Sequence, residues 1–176
     1  MTARPLTSGD PPARTAVATV RDSGPGPHAN TGHWLRQAAL RWHRELGRRL
    51  RPLGLTPTQF FVLSGTGWLH ATTGPPTQQE VADLAGTDRM MTSKVVATLE
   101  RLGFLAHTID EHHGRLKRLH QTPAGRDVTI AALVHIQEIE QIFFGGLDSI
   151  ALRHQLAAVT QRGEGSHAVG DGDSAE

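Results

Sequence analysis

Apolar side chains recur every three or four positions through most of residues 31 to 162, the spacing that lines them up on one face of a helix. In HWLRQAALRWHRELGRRLRPL, Leu35, Ala38, Trp42, Leu46, Arg49 and Leu53 step this way. One seam, broken at Arg49, is therefore predicted to face a partner until Pro52 ends the helix. LTPTQFFVL then starts a second helix: Thr56 is the N-cap, Pro57 the first helical residue, Gln59 closes a capping box, and Leu55 is placed to staple onto Phe60. This helix is expected to reach about Ala71, with Gly65 and Gly67 weakening its middle. PTQQEVADLAG repeats the device with Thr77 and Glu80, puts Val81, Leu84 and Ala85 on a short stripe, and stops at Gly86, which accepts left-handed backbone. Thr87 or Asp88 caps the next helix, which ends at Leu102 before Gly103.

A short helix, a tight turn and a longer helix make a helix-turn-helix. After it, FLAHTID and RLKRLHQ have strand-like composition and are joined by the turn-forming EHHG, which predicts a β-hairpin wing. Thr122 and Pro123 start a long helix through Phe144 with Ala132, Ile136, Ile139 and Phe143 on one stripe. Asp148 caps a last helix whose inner face carries Leu152, Leu156 and Val159. The predicted fold is mainly α with a small β-hairpin wing, a winged helix-turn-helix domain plus a helical dimerisation region. The stripes on the first helix and on the Thr122 to Phe144 helix exceed what a compact single domain needs to cover, and so suit a dimer. Residues 1–30 hold half of the chain's ten prolines, and the segment from 163 to 176 is polar and glycine-rich. Both are predicted to be disordered tails, since neither buries enough surface to offset its ordering entropy.

The helix from Asp88 to Leu102 carries an unusual polar edge. With Met91 at the centre of a helical wheel, Val95, Leu99 and Leu102 share its packing face. Arg89, Met90, Ser93 and Ala97 then lie opposite, with Thr92 and Lys94 on the flanks. Small and hydroxylic residues permit close approach, cations reach phosphates or guanine edges, and an exposed methionine or alanine meets a thymine methyl. Glu100, the one acid on that side, sits at the far end. Past the hairpin tip, Arg115, Lys117 and Arg118 are placed to lie along a backbone or enter a minor groove.

Charge adds to this picture. Between His33 and Arg51 six arginines stand against Glu45 alone, whereas the tail after Arg162 carries four acids and no base. The 176-residue chain has no cysteine, which excludes disulfides and thiolate metal sites. It has no apolar run of about 20 residues and no signal-peptide apolar region, so no membrane association and a cytoplasmic location are expected. No nucleophile elbow or phosphate loop is visible, which argues against an enzyme. His112 and His113 are adjacent on a turn rather than four apart on a helix, while His107 and His120 are candidates to meet across the hairpin.

LTPTQFFVL, TQQEVADLAGTDRMMTSKVVATLERLGFL and DEHHGRLKRLHQTPAG, in this order and spacing, resemble the MarR family of bacterial transcriptional regulators. The resemblance covers about Trp34 to Val159. It implies a homodimer joined through residues 31–54 and 122–162, with 55–121 as the DNA-binding lobe. It further implies double-stranded DNA with a pseudo-palindromic operator as partner, and release by a small aromatic or anionic effector. The Asp88 to Leu102 helix becomes the recognition helix and Arg115 the wing-tip arginine of the minor groove. Two positions depart from the family pattern: His113 replaces an aspartate that holds the wing arginine, and Gln121 replaces a leucine. An effector site is expected among Trp34, Trp42, Phe60, Phe61 and Trp68, with Arg41 or His43 as partners for an anion; Phe61 stands near the acid that a urate-responsive branch uses, so urate is not expected. No cofactor or metal is expected. The alternatives are a metal- or pH-responsive repressor using its histidines, and an interaction module that has lost DNA binding.

Overall fold

The computed structural model describes Gly26, residues 29–110 and residues 116–165, with side chains as far as Arg162. The predicted tails, except for Gly26, Ala29 and Asn30 at one end and the last helical residues at the other, lie outside the described residues, as do His112, His113 and Arg115. Two compact units divide the chain, Met1–Arg41 and Trp42–Glu176.

The described residues form six α-helices, one 3-10 turn and one hairpin. Helix α1 spans Thr31–Leu50 and continues into a 3-10 turn, Arg51–Leu53; α2 spans Pro57–Thr73, α3 Gln78–Ala85 and α4 Arg89–Arg101. Strands β1 (Leu105–Ile109) and β2 (Lys117–Gln121) pair antiparallel, and helices α5 (Pro123–Phe144) and α6 (Ser149–Gly165) follow. The caps that start these helices are the ones the sequence predicts. Thr56 with Gln59 and Thr77 with Glu80 form complete capping boxes. Asp88, Thr122 and Asp148 accept from the first-turn amides of α4, α5 and α6. Each such cap contributes about 1 kcal/mol. Gly86 closes α3 at φ 63°, a left-handed geometry that glycine adopts without a Cβ clash. One cap was missed: Asn30 Oδ1 accepts from Gly32 and His33 at the start of α1.

The core of the Trp42–Glu176 unit gathers Leu46 and Leu50 of α1, Phe60, Val62 and Leu63 of α2, Val81 of α3, Val96 and Leu99 of α4, Leu105 and Leu119 of the hairpin, and Ala132 and Ile139 of α5. Leu55 and Phe60, the expected staple, are both buried there. Arg49, which breaks the α1 seam, pairs with Glu45 of its own helix and with Glu138 of α5. The break is therefore an ion-pair position facing a distant acid.

Three expectations change. Gly65 and Gly67 permit close approach rather than weakening α2: a Cβ on Gly65 would lie 3.2 Å from Leu84, and one on Gly67 2.7 Å from the Gln121 amide oxygen. Helix α2 also continues past Ala71 to Thr73. On α6 no residue with a described side chain is fully buried; Leu156 and Val159, read as an inner face, are exposed, and Leu152 is half-buried. The apolar periodicity is present, but the described residues leave most of it uncovered.

Candidate nucleic-acid interface

Asp88 sets the start of α4, its carboxylate accepting from the Met91 amide at 2.7 Å. Thr92 follows from that geometry. Its hydroxyl donates to the Asp88 carbonyl at 2.9 Å and lies 2.7 Å from the Thr87 hydroxyl, which is left to act as donor. Thr92 is fully buried, together with Val96 and Leu99. The packing face of α4 is thus turned by roughly 70° from the expected one, with Leu99 common to both. Thr92 is a correction to the predicted DNA-contact set: a buried hydroxyl satisfied within the turn has no reach to a duplex. Met91, expected inside, is 47% exposed and joins Met90 at 70% on the outside. The outer face keeps Arg89, Met90, Ser93, Lys94 and Ala97, all exposed. Glu100 is drawn away to the wing, its carboxylate 2.5 Å from His107 Nδ1 on β1.

The wing is docked at its base. Leu119 donates its amide to the Pro76 carbonyl at 2.8 Å, and Arg118 forms an isolated bridge with Thr77, so β2 runs against the segment that leads into α3. Arg118 is the second correction. Its guanidinium is half-buried, bonds Asp110 at 2.9 Å and the Pro75 carbonyl at 3.3 Å, and lies 3.7 Å from Glu80. The Thr77 amide, then its hydroxyl, hold the Glu80 carboxyl below the ordinary range, and Arg118 adds to this. A guanidinium engaged with two acids and a carbonyl braces the wing against the capping box of α3. Lys117, in contrast, is exposed. The register pairs His107 with Leu119 and Ala106 with His120, which places His107 and His120 on opposite faces of the hairpin. The expected meeting of these two histidines does not occur, and no cluster of three or more metal-ligating side chains exists among the described residues.

Two clefts lie beside the lobe. The first, about 740 Å³, is lined by Phe61, Ser64, Gly65, Gly67 and Trp68 of α2, Leu84 and Ala85 of α3, Gly86, Gln121 of β2, and Thr129 and Leu133 of α5. The second, about 730 Å³, lies between α5 and α6 with Trp42 in its wall. Trp42 stacks on Phe61, ring centroids 6.0 Å apart. Of the expected effector residues, Phe61 and Trp68 reach the first cleft and Trp42 the second. Phe60 is a core side chain, so its place in a pocket is corrected. Trp34, Arg41 and His43 are exposed and line neither cleft. The structure brings Gln121 into the first cleft, where sequence reading saw only a departure from the family pattern.

No protein-family model matches the sequence. The fold is similar to that of a MarR-family transcriptional regulator from Silicibacter pomeroyi, with a TM-score of 0.63 and 20% identity, covering 78% of this chain and 90% of that one. BpsR of Bordetella bronchiseptica, solved in connection with regulation of its DNA binding by 6-hydroxynicotinic acid, superimposes with a TM-score of 0.64 at 25% identity over 73% of this chain and 97% of its own. The sequence is 34% identical over 119 residues to YdcH of Bacillus subtilis (strain 168), an uncharacterized HTH-type transcriptional regulator, spanning 68% of this chain and 81% of that protein. The chain belongs to the MarR family of HTH-type transcriptional regulators. In this MarR protein the helix-turn-helix is α3, Gly86 to Asp88, and α4. The wing-tip arginine implied by the family, Arg115, and the departure at His113 lie outside the described residues. No helix among the described residues is long and apolar enough to cross a membrane.

Proposed function

We propose that this MarR-family protein is a homodimeric repressor that reads a pseudo-palindromic operator and is released by a small molecule. The observation that carries the reading is the outer face of α4, where Arg89, Met90, Ser93, Lys94 and Ala97 stand exposed on a helix whose inner face is locked by Thr92, Val96 and Leu99. Such a face fits a major groove: Lys94 and Arg89 supply cations, Ser93 and Ala97 permit close approach, and Met90 offers an apolar contact to a thymine methyl. Lys117 on β2, and Arg115 by the family resemblance, take the adjacent backbone and minor groove. The protein acts by binding, in the cytoplasm, and not by catalysis.

Dimerisation is supported by the apolar surface left on α5 and α6, including Val134, Ile142, Ile150 and Val159. The buried Nε1 of Trp42, beside the α5–α6 cleft, lacks an acceptor among the described residues. A second copy covering this face places two recognition helices about one helical turn of DNA, roughly 34 Å, apart. The first cleft, walled by Phe61 and Trp68 and bounded by α2, α3, α5 and the base of the wing, is the effector site in this reading.

Selecting bound duplexes from a random pool tests the function directly. An inverted repeat with half-sites one turn apart is expected. Failure to retain any duplex at low ionic strength, where phosphate contacts are strongest, would overturn it.

A further inference from the structure

The first cleft carries information about the chemistry of its occupant, and the inference below rests on reading that cleft as the effector site. None of its described lining side chains is ionisable; the walls are Phe61, Trp68, Leu84 and Leu133, and the polar groups among them are those of Ser64, Thr129 and Gln121 and the indole N–H of Trp68. Every polar hydrogen of Ser64, Thr129 and Gln121 is already committed. Ser64 Oγ donates to the Phe61 carbonyl at 3.4 Å, and Thr129 Oγ1 donates to the Gly125 carbonyl at 2.7 Å. Gln121 Nε2 donates to the Leu63 carbonyl at 2.9 Å and to Thr129 Oγ1 at 3.0 Å.

This network fixes which way the Gln121 amide faces. The Leu63 carbonyl only accepts, so the nitrogen must point at it; the reverse orientation would set two oxygens against each other. Oε1 is then the remaining acceptor; among the described residues it has no hydrogen-bond donor, and it is not among the buried, unpartnered atoms. Gly67 makes room for it, since a Cβ there would stand 2.7 Å from Oε1 and 2.8 Å from Cδ. The cleft therefore presents the Gln121 acceptor on an aromatic floor, with no cation among its described lining residues and the Trp68 indole N–H as the remaining side-chain donor.

We propose that this cleft takes an uncharged, planar aromatic molecule carrying a hydroxyl or N–H that donates to Gln121 Oε1. A carboxylate entering here gives up water and finds no positive partner, and it meets Oε1 with like partial charge. A neutral donor loses little on desolvation and satisfies the amide oxygen, while Phe61 and Trp68 take its flat apolar body. Gln121 is the specificity-determining residue: it ends the wing strand and precedes Thr122, the cap of α5.

Three probes of one shape decide the matter with the full-length protein: 2-naphthol, 2-methoxynaphthalene and 2-naphthoate, respectively a neutral donor, a neutral molecule without a donor, and an anion. Affinity is read from tryptophan fluorescence, with Trp68→Phe as the site control, and from the shift in melting temperature. 2-Naphthol is expected to bind about tenfold tighter than either relative, the size of one net hydrogen bond. Gln121→Leu should reduce its advantage over 2-methoxynaphthalene to about one. Naphthoate binding as tightly as naphthol to the parent protein overturns the ligand class and leaves the effector site standing; so does a preference for naphthol that survives in Gln121→Leu. The parent series decides even if that variant misfolds. If no probe binds at millimolar concentration, the effector-site reading falls, and the ligand class with it.

Discussion

In the helix-turn-helix lobe apolar side chains close on one another; on α5 and α6 many do not. Val62, Leu63, Val81, Val96, Leu99, Leu105 and Leu119 are buried within one chain. Ile130, Val134, Ile142, Ile150 and Val159 show the same helical spacing and stand mostly in solvent, Ile142 at 62%. The polar groups differ in the same way. The lobe completes its bonds internally through the two capping boxes, the Thr87–Thr92–Asp88 chain and the Arg118 brace. The C-terminal helices have few such locks. A lobe that is closed on itself keeps its recognition face rigid, whereas a helix pair with an open apolar side depends on association for part of its stability.

That contrast can be broken most forcefully at the open side. Val134→Glu combined with Ile142→Glu should raise the dimer dissociation constant more than about a hundredfold. Sedimentation at micromolar concentration should then show a monomer. A dimer that persists unchanged would place the interface elsewhere. Gly125, where the start of α5 meets the backbone leading into β1, is the tightest joint between the two regions: a Cβ there would lie 2.0 Å from the Phe104 carbonyl oxygen. Gly125→Ala should cost about 3 kcal/mol in urea unfolding, since neither backbone can yield cheaply.

Arg118 sharpens the comparison from the lobe side. Arg118→Ala should weaken operator binding about tenfold by releasing the wing, an effect of the size of a lost charge-assisted bond. Asp110→Asn tells brace from contact, because removing an acid near DNA strengthens binding if only long-range charge matters and weakens it if the brace matters. Lys94→Ala, on the outer face of α4, should weaken binding across sequences and lower the salt slope by about 1. An unchanged slope in a titration with potassium chloride would remove Lys94 from the phosphate contacts.

The smallest effect concerns Glu45 on α1. Hydrogen bonds from Arg48, then Arg49, bring its carboxyl down from 4.5 to about 2. Between those values the unfolded chain holds the extra proton, so the contribution is complete above about pH 4.5 and is lost as pH falls through about 2. Arg48, the first of these partners, is solvated, so the effect is slight. Glu45→Gln should flatten the acid limb of the melting curve in that window, and an identical limb in the variant would show that the triad contributes nothing.

Much of the fold was legible because it is written in short-range chemistry. Thr56 with Gln59, Thr77 with Glu80, and Thr122 with Pro123 state where helices begin within four residues, and the backbone obeys them. The rotation of α4 was not legible. Threonine reads as polar and methionine as apolar, yet Thr92 is inside because Asp88 and Thr87 satisfy its hydroxyl, and Met91 is left out. Nor did composition distinguish Lys117, which is free to meet DNA, from Arg118, which is held by Asp110, Glu80 and Pro75. Two adjacent cations on a strand point to opposite faces, and only the docked hairpin says which face is occupied.

By itself, then, the sequence determined the helices, most of their caps, the presence of a hairpin and the presence of a cationic face, because each depends on residues a few positions apart. Tertiary structure alone decided that Arg49 meets Glu138, that Gly67 leaves space for the Gln121 amide, and that Phe61 and Trp68 share a cleft without a charge. These are contacts between residues tens of positions apart. Their chemistry depends on which groups are left unpaired once the chain has folded, a property that no local pattern carries.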